Sequence, residues 1–187
     1  MTETNSQTPE FSRPVSAAKL SKTPATYQLV ATEAERAALV QRFGLVSLDR
    51  LEAEVTLRRI GGDVRLEADL TADLVQACIV TLEPVPVQIA ENFALVFRPG
   101  IDEDEADRLA LENPEDEIIE PLMADSIDIG EAVAQQLSVA MDPYPRASGA
   151  QSAGADLEFG GAPEGVSEAS KARRNPFDVL ATLKRQP

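Results

Sequence analysis

Two runs of strict alternation constrain this chain more than any other feature. In LEAEVTLRR the apolar Leu51, Ala53, Val55 and Leu57 alternate with Glu52, Glu54, Thr56 and Arg58; in VRLEADLTA, Val64, Leu66, Ala68 and Leu70 line up the same way. A period of two puts one set of side chains in a core and the other in water, the mark of a half-buried strand rather than a helix. Between the runs stand Gly61, Gly62 and Asp63, the residues of a tight turn. The pattern predicts an antiparallel hairpin, and the apolar face of such a hairpin must be covered by something else in the chain.

Further runs supply candidates. FSRPVS, from Phe11, reads as an edge strand because Pro14 cannot donate to a ladder, and Tyr27 to Val30 as a short strand. CIVTL, from Cys78 to Leu82, reads as a third strand. VQIAENFALVF reads as a long fourth one, with Val87, Ile89, Phe93, Leu95 and Phe97 on one face and Glu91 interrupting it. EIIEPL can return as a short strand. Thr32 with Glu35 has capping-box spacing and Gly44 suits a left-handed cap, which predicts a helix at 32–43. Asp128 and Glu131 are spaced as cap and third helical residue, and Ile129, Val133, Leu137 and Met141 recur every fourth position until Pro143 stops the helix. That stripe is read as core-facing.

The expected fold is α+β: a curled antiparallel sheet of five or six strands, open or partly barrel-like, with two packed helices and a loosely attached C-terminal helix. Residues 1–10 are polar and read as disordered. Residues 11–146 read as a single domain containing an acidic connection at 99–120. Residues 147–172 are small and polar and read as a disordered linker. Residues 173–187 form a C-terminal helical motif in which Asn175 caps, Pro176 opens the helix and Phe177, Leu180 and Leu183 share a face. Such a short helix either docks on its own domain or folds on a partner.

The chemistry is bounded mostly by exclusion. The chain has no histidine, which removes Ser-His-Asp and Cys-His pairs, imidazole proton shuttles and His-bearing metal sites. Its single cysteine, Cys78, cannot form an internal disulfide or a thiolate cage; in an apolar run with no basic neighbour it reads as a buried structural thiol. Glu117 and Glu120 are paired carboxylates with no sign of a pocket. We therefore expect no catalytic, cofactor or metal site, and no enzyme. There is no basic and apolar leader at the N-terminus and no apolar run of membrane-spanning length, so the reading is a cytoplasmic protein without a membrane partner.

Charge carries the positive information. The net charge is −15, and residues 99–158 hold 16 acids against 2 bases. Asp102 and Asp104 resemble the start of a calcium loop, but its glycine position holds Asp107 and its bidentate glutamate position holds Asn113. Two readings remain for Asp102, Glu103, Asp104, Glu105 and Asp107: a solvated loop, or a surface for a basic protein partner. Lys171, Arg173 and Arg174, with Lys184 and Arg185, are the local reversal of sign, suited to weak, salt-sensitive contact with RNA phosphates.

AERAALVQRFGLVSLDRLEAEV, QACIVTLEPVPVQIAENFALVFRP, SIDIGEAVAQQLSVAMDPYPR and NPFDVLATLK, in that order, resemble the alphaproteobacterial branch of the YceD family, the large ribosomal RNA subunit accumulation proteins, long filed as a domain of unknown function. The resemblance runs from about Phe11 to Arg146 and again over 173–184. It implies a small, non-enzymatic cytoplasmic factor needed for normal levels of 23S rRNA and for large-subunit (50S) assembly. The basic partner is then a ribosomal protein or an assembly factor; the alternative is direct rRNA binding through the basic tail. Many relatives carry a second cysteine three positions after the first. Thr81 stands there in this chain, so the metal-binding role claimed for those members is not carried over.

Overall fold

The alternating runs form the hairpin and extend beyond it. Strand β3, Ser47–Ile60, pairs antiparallel with β4, Asp63–Ala77, and Gly61 between them sits at φ 62, where a residue with a Cβ would be strained. Leu51, Val55, Leu57, Val64, Leu66 and Leu70 are all buried. A bulge between Leu48 and Arg50 shifts the register, so that Leu48 and Leu51, three apart and on opposite faces of a regular strand, both reach the core. Each fully buried leucine of this set stabilises the fold by about 1.5–3 kcal/mol.

The computed structural model describes residues 9–112, 118–123 and 125–150. All lie in the first of two compact units, Met1–Ala150; the second, Gln151–Pro187, lies outside the described residues, and with it most of the predicted linker and the whole C-terminal motif.

Strand β2, Ala25–Val30, lies antiparallel to β3, and β5, Pro84–Arg98, runs antiparallel along β4 over its full length. The fifth strand departs from expectation: β6, Ile118–Pro121, pairs parallel to β5. A parallel neighbour needs a crossover, and the predicted acidic connection supplies one as helix α2, Glu103–Glu112. The order is β2-β3-β4-β5-β6, open at both edges, so the sheet does not close into a barrel. FSRPVS does yield a strand, β1, Pro14–Ser16, but it joins β7, Ser126–Asp128, in a separate two-stranded sheet.

CIVTL is not a strand. Residues 78–83 are the loop that turns β4 into β5, closed by Cys78 N–H to Glu83 O at 2.8 Å and Leu82 N–H to Cys78 O at 2.9 Å, with Leu82 at φ 62. The reversal falls where Ala77 faces Pro84, so the ladder has ended before the apolar run begins. Ile79 and Leu82 consequently stand 47% and 78% exposed.

Both predicted helices form where their caps place them. In α1, Glu33–Phe43, the Thr32 hydroxyl accepts from Glu35 N–H while the Glu35 carboxylate accepts from Thr32 N–H, and Gly44 closes the far end at φ 65. In α3, Ile129–Ala140, Asp128 accepts from the N–H groups of Gly130 and Glu131, and Ile129, Val133 and Leu137 are buried. Helix α3 lies across β4 and β5, α1 along β3. Arg42 of α1 grips Glu131 of α3 through two bonds, of 2.7 and 2.8 Å. A Cβ on Gly130 would stand 2.5 Å from Phe11 O, so the first turn of α3 lies directly on the Phe11–Arg13 backbone. There Asp128 also accepts from Arg13 N–H at 2.7 Å and from the Ser12 hydroxyl at 2.5 Å.

Candidate acidic interface

The open face of the sheet and the α2–β6 corner both carry several charges, and they differ in how those charges are answered. On the sheet, a concavity of about 380 Å³ is lined by Glu54, Thr56, Arg65, Glu67, Asp69 and Asn92. Two of its three acids have local partners: Glu67 lies 2.9 Å from Arg65 and Gln28 donates to Glu54; elsewhere on the sheet Asp73 lies 2.7 Å from Arg50. A face of mixed sign with internal pairs offers little net field to a partner.

Helix α2 is different. Asp102 caps it, accepting from Glu105 N–H at 2.9 Å, and Glu103, Asp104 and Glu105 fill the first turn, where the N-terminal end of the helix dipole favours negative charge. That arrangement explains why so acidic a segment is helical instead of a loop. Ala106 is buried against the sheet, which orients the helix. The structure brings all five predicted carboxylates together at one helix end, but assigns two of them local tasks: Asp102 caps, and Glu105 pairs with Arg108 at 3.3 Å. Glu103, Asp104 and Asp107 are exposed, with no cationic partner among the described residues.

Glu120 of β6 completes the group. Burial first, then the neighbouring charges of Asp107 and Glu103, hold its carboxyl above the ordinary carboxylate value. Glu103 and Asp107 are four apart and therefore share the helix side that the crossover lays toward β6. Sequence reasoning had grouped Glu120 with Glu117 instead, and Glu117 lies outside the described residues. The signal that could have found the group is the i, i+4 acid pair of a helix whose crossover must return beside the strand it left. Exposed apolar side chains stand on the same elements: Leu111 at 84%, Ile118 at 54%, and Met123 just beyond β6 at 66%.

Cys78 is buried, as expected, though outside the main core cluster and in a loop rather than a strand. Backbone N–H donation, first from Ala147 and with the Thr81 hydroxyl and the N–H groups of Thr81 and Val80 adding to it, pulls the thiol down to about 6. No basic neighbour is needed. Among the described residues there is no group of three or more His, Cys, Asp or Glu placed to hold a metal ion, and no helix long and apolar enough to cross a membrane. Asn175, Pro176, Phe177, Leu180 and Leu183, with Lys171, Arg173 and Arg174, lie outside the described residues.

Neither the curated proteins nor the solved structures contain a match to this chain. One family does match, over residues 66–184, a span that takes in most of β4, all of β5, α2 and α3 and most of the C-terminal motif, and omits the α1 segment that also carried the resemblance. That is more than half of the 187 residues, and its description names accumulation of the large ribosomal RNA subunit and no reaction; the chain belongs to the family of large ribosomal RNA subunit accumulation proteins, YceD.

Proposed function

We propose that this protein is a non-enzymatic cytoplasmic factor that supports large-subunit rRNA accumulation by holding a basic protein, either a ribosomal protein or an assembly factor, on its α2–β6 corner. The observation that carries the reading is the unanswered cluster of Glu103, Asp107 and Glu120, with Leu111, Ile118 and Met123 exposed on or beside the same elements. A merely solvated helix gains nothing from carboxylates that repel one another beside exposed apolar groups. A partner presenting lysine or arginine beside apolar side chains gains from both. The net charge of −15 draws such a partner in and repels free polynucleotide. The chain's lack of histidine supports a binding role over a catalytic one.

The test is capture from lysate on immobilised protein, with and without nuclease. A ribosomal or assembly protein should be recovered in both samples. The variant Glu103→Gln, Asp104→Asn, Asp107→Asn, which leaves the Asp102 cap and the Glu105–Arg108 pair in place, should weaken that capture by about tenfold at low salt, since each pair formed at a partly exposed surface contributes about 0.2–1 kcal/mol. Binding unchanged in the variant removes the acidic corner from the reading. Binding that disappears with nuclease favours the basic tail, Lys171, Arg173 and Arg174, as a direct rRNA contact instead.

A further inference from the structure

The five-stranded sheet ends in two edges treated very differently. Strand β6 is four residues long and finishes at Pro121. Strand β2 has six residues, ATYQLV, with no charge and no proline, none of the devices that normally blunt an edge. Ala31 N–H bonds to Leu51 O at 3.0 Å, and antiparallel alternation then directs Leu29, Tyr27 and Ala25 at β3. The backbone N–H and C=O groups of Thr26, Gln28 and Val30 therefore face outward, and nothing among the described residues takes them up. Alongside runs a groove of about 550 Å³ whose apolar lining is Val15, Tyr27, Leu29 and Ile129. Pro14, on β1 across the groove, has no N–H to offer a strand laid there.

From this edge we infer that the protein forms a homodimer in which β2 of one copy pairs antiparallel with β2 of a second across a two-fold axis at Gln28. This register alone pairs all three outward residues: Gln28 with itself, and Thr26 with the partner's Val30 in both directions, each pair exchanging two hydrogen bonds. Tyr27 then faces the partner's Leu29 on the groove side, and Val30, 60% exposed in one copy, gains a neighbour. Charge selects a copy over an arbitrary strand. Lys22 precedes β2 and Glu33 follows it; both are exposed, and neither has an ion-pair partner among the described residues. Lys22 and Glu33 stand at opposite ends of β2, so an antiparallel two-fold pair brings the Lys22 end of each copy to the Glu33 end of the other. The acidic corner sits at the opposite edge, β6, so the dimer holds its two most negative surfaces apart and leaves both free.

Sedimentation equilibrium of the full chain at micromolar concentration tests this, with an expected mass of twice the 20.1 kDa chain. Gln28→Pro removes an outward N–H that β3 does not use, and should weaken the dimer by about a hundredfold or more while the circular dichroism stays native. Lys22→Glu and Glu33→Lys should each weaken it by about tenfold, and the double swap should restore it. If Gln28→Pro fails to fold, the charge swap decides. A single-chain mass up to about 100 µM, a dimer indifferent to the charge reversals, or one that survives Gln28→Pro overturns the inference. So does a monomer that takes a strand of another protein at this edge.

Discussion

Glu35 shows how much one side chain can do here. Its carboxylate accepts from Thr32 N–H at 2.8 Å, completing the capping box, and receives Arg13 in two bonds, of 2.6 and 3.1 Å, tying the segment that leads into β1 to the start of α1. Arg13 foremost, with the Thr32 donors, lowers its pKa from 4.5 to about 2, overriding the opposing effect of burial. A depressed carboxylate stabilises the fold fully above its unfolded pKa and loses that contribution as pH falls through the folded one. Glu35→Gln should therefore cost about 1–2 kcal/mol in urea unfolding at pH 7. The gap between wild type and variant should shrink as pH falls from 4.5 toward 2. Cys78 carries a different lesson: the donors that lower its pKa are mostly backbone N–H groups, which residue identity cannot reveal before the loop is known.

At the level of elements, α2 and β6 hold Glu103, Asp107 and Glu120 together with no compensating cation among the described residues. A carboxyl whose folded pKa is raised stabilises the fold below its unfolded pKa and loses that contribution as pH rises through the folded value. Glu120→Gln should then raise the thermal midpoint at neutral pH, and the difference from wild type should fade on acidification; a midpoint lowered at neutral pH would show that Glu120 answers a cation instead. The elements legible in the sequence were those with a clean period and an identifiable end. The β3–β4 hairpin, α1 between Thr32 and Gly44, and α3 behind Asp128 all have both. CIVTL misled because β-rich composition says nothing about where the ladder stops, and the register of Ala77 with Pro84 placed the whole run in a turn. Helix α2 was hidden by its charge, since DEDEA reads as a solvated connection until its acids are seen to occupy the first turn of a helix. The parallel pairing of β6 follows from that helix and was invisible without it. Of the candidate site, the five carboxylates were legible because charge density is local. Glu120 was not, because its membership depends on the crossover.

For the whole molecule, the excess of negative charge acts on stability and binding in opposite directions. Raising salt from about 0.1 M to about 1 M cuts the Debye length from about 10 Å to about 3 Å. Self-repulsion at −15 then weakens, so the urea midpoint should rise, while capture of a basic partner should fall over the same range. A midpoint that falls would mean that the ion pairs among β1, α1 and α3 outweigh the net repulsion.

The Asp128 contacts bear on how this chain is made. One carboxylate group binds both Ser12 and Arg13 while capping the helix that carries Gly130 over Phe11, so residues more than a hundred positions apart in the chain close on each other. During synthesis the Phe11 segment emerges more than a hundred residues before the cover it needs. Until residue 131 or so is outside the exit tunnel, a nascent chain can build its long hairpin but cannot shut the domain. A protein tied by family to the accumulation of ribosomal RNA thus closes this domain only after the sheet at its centre has been made.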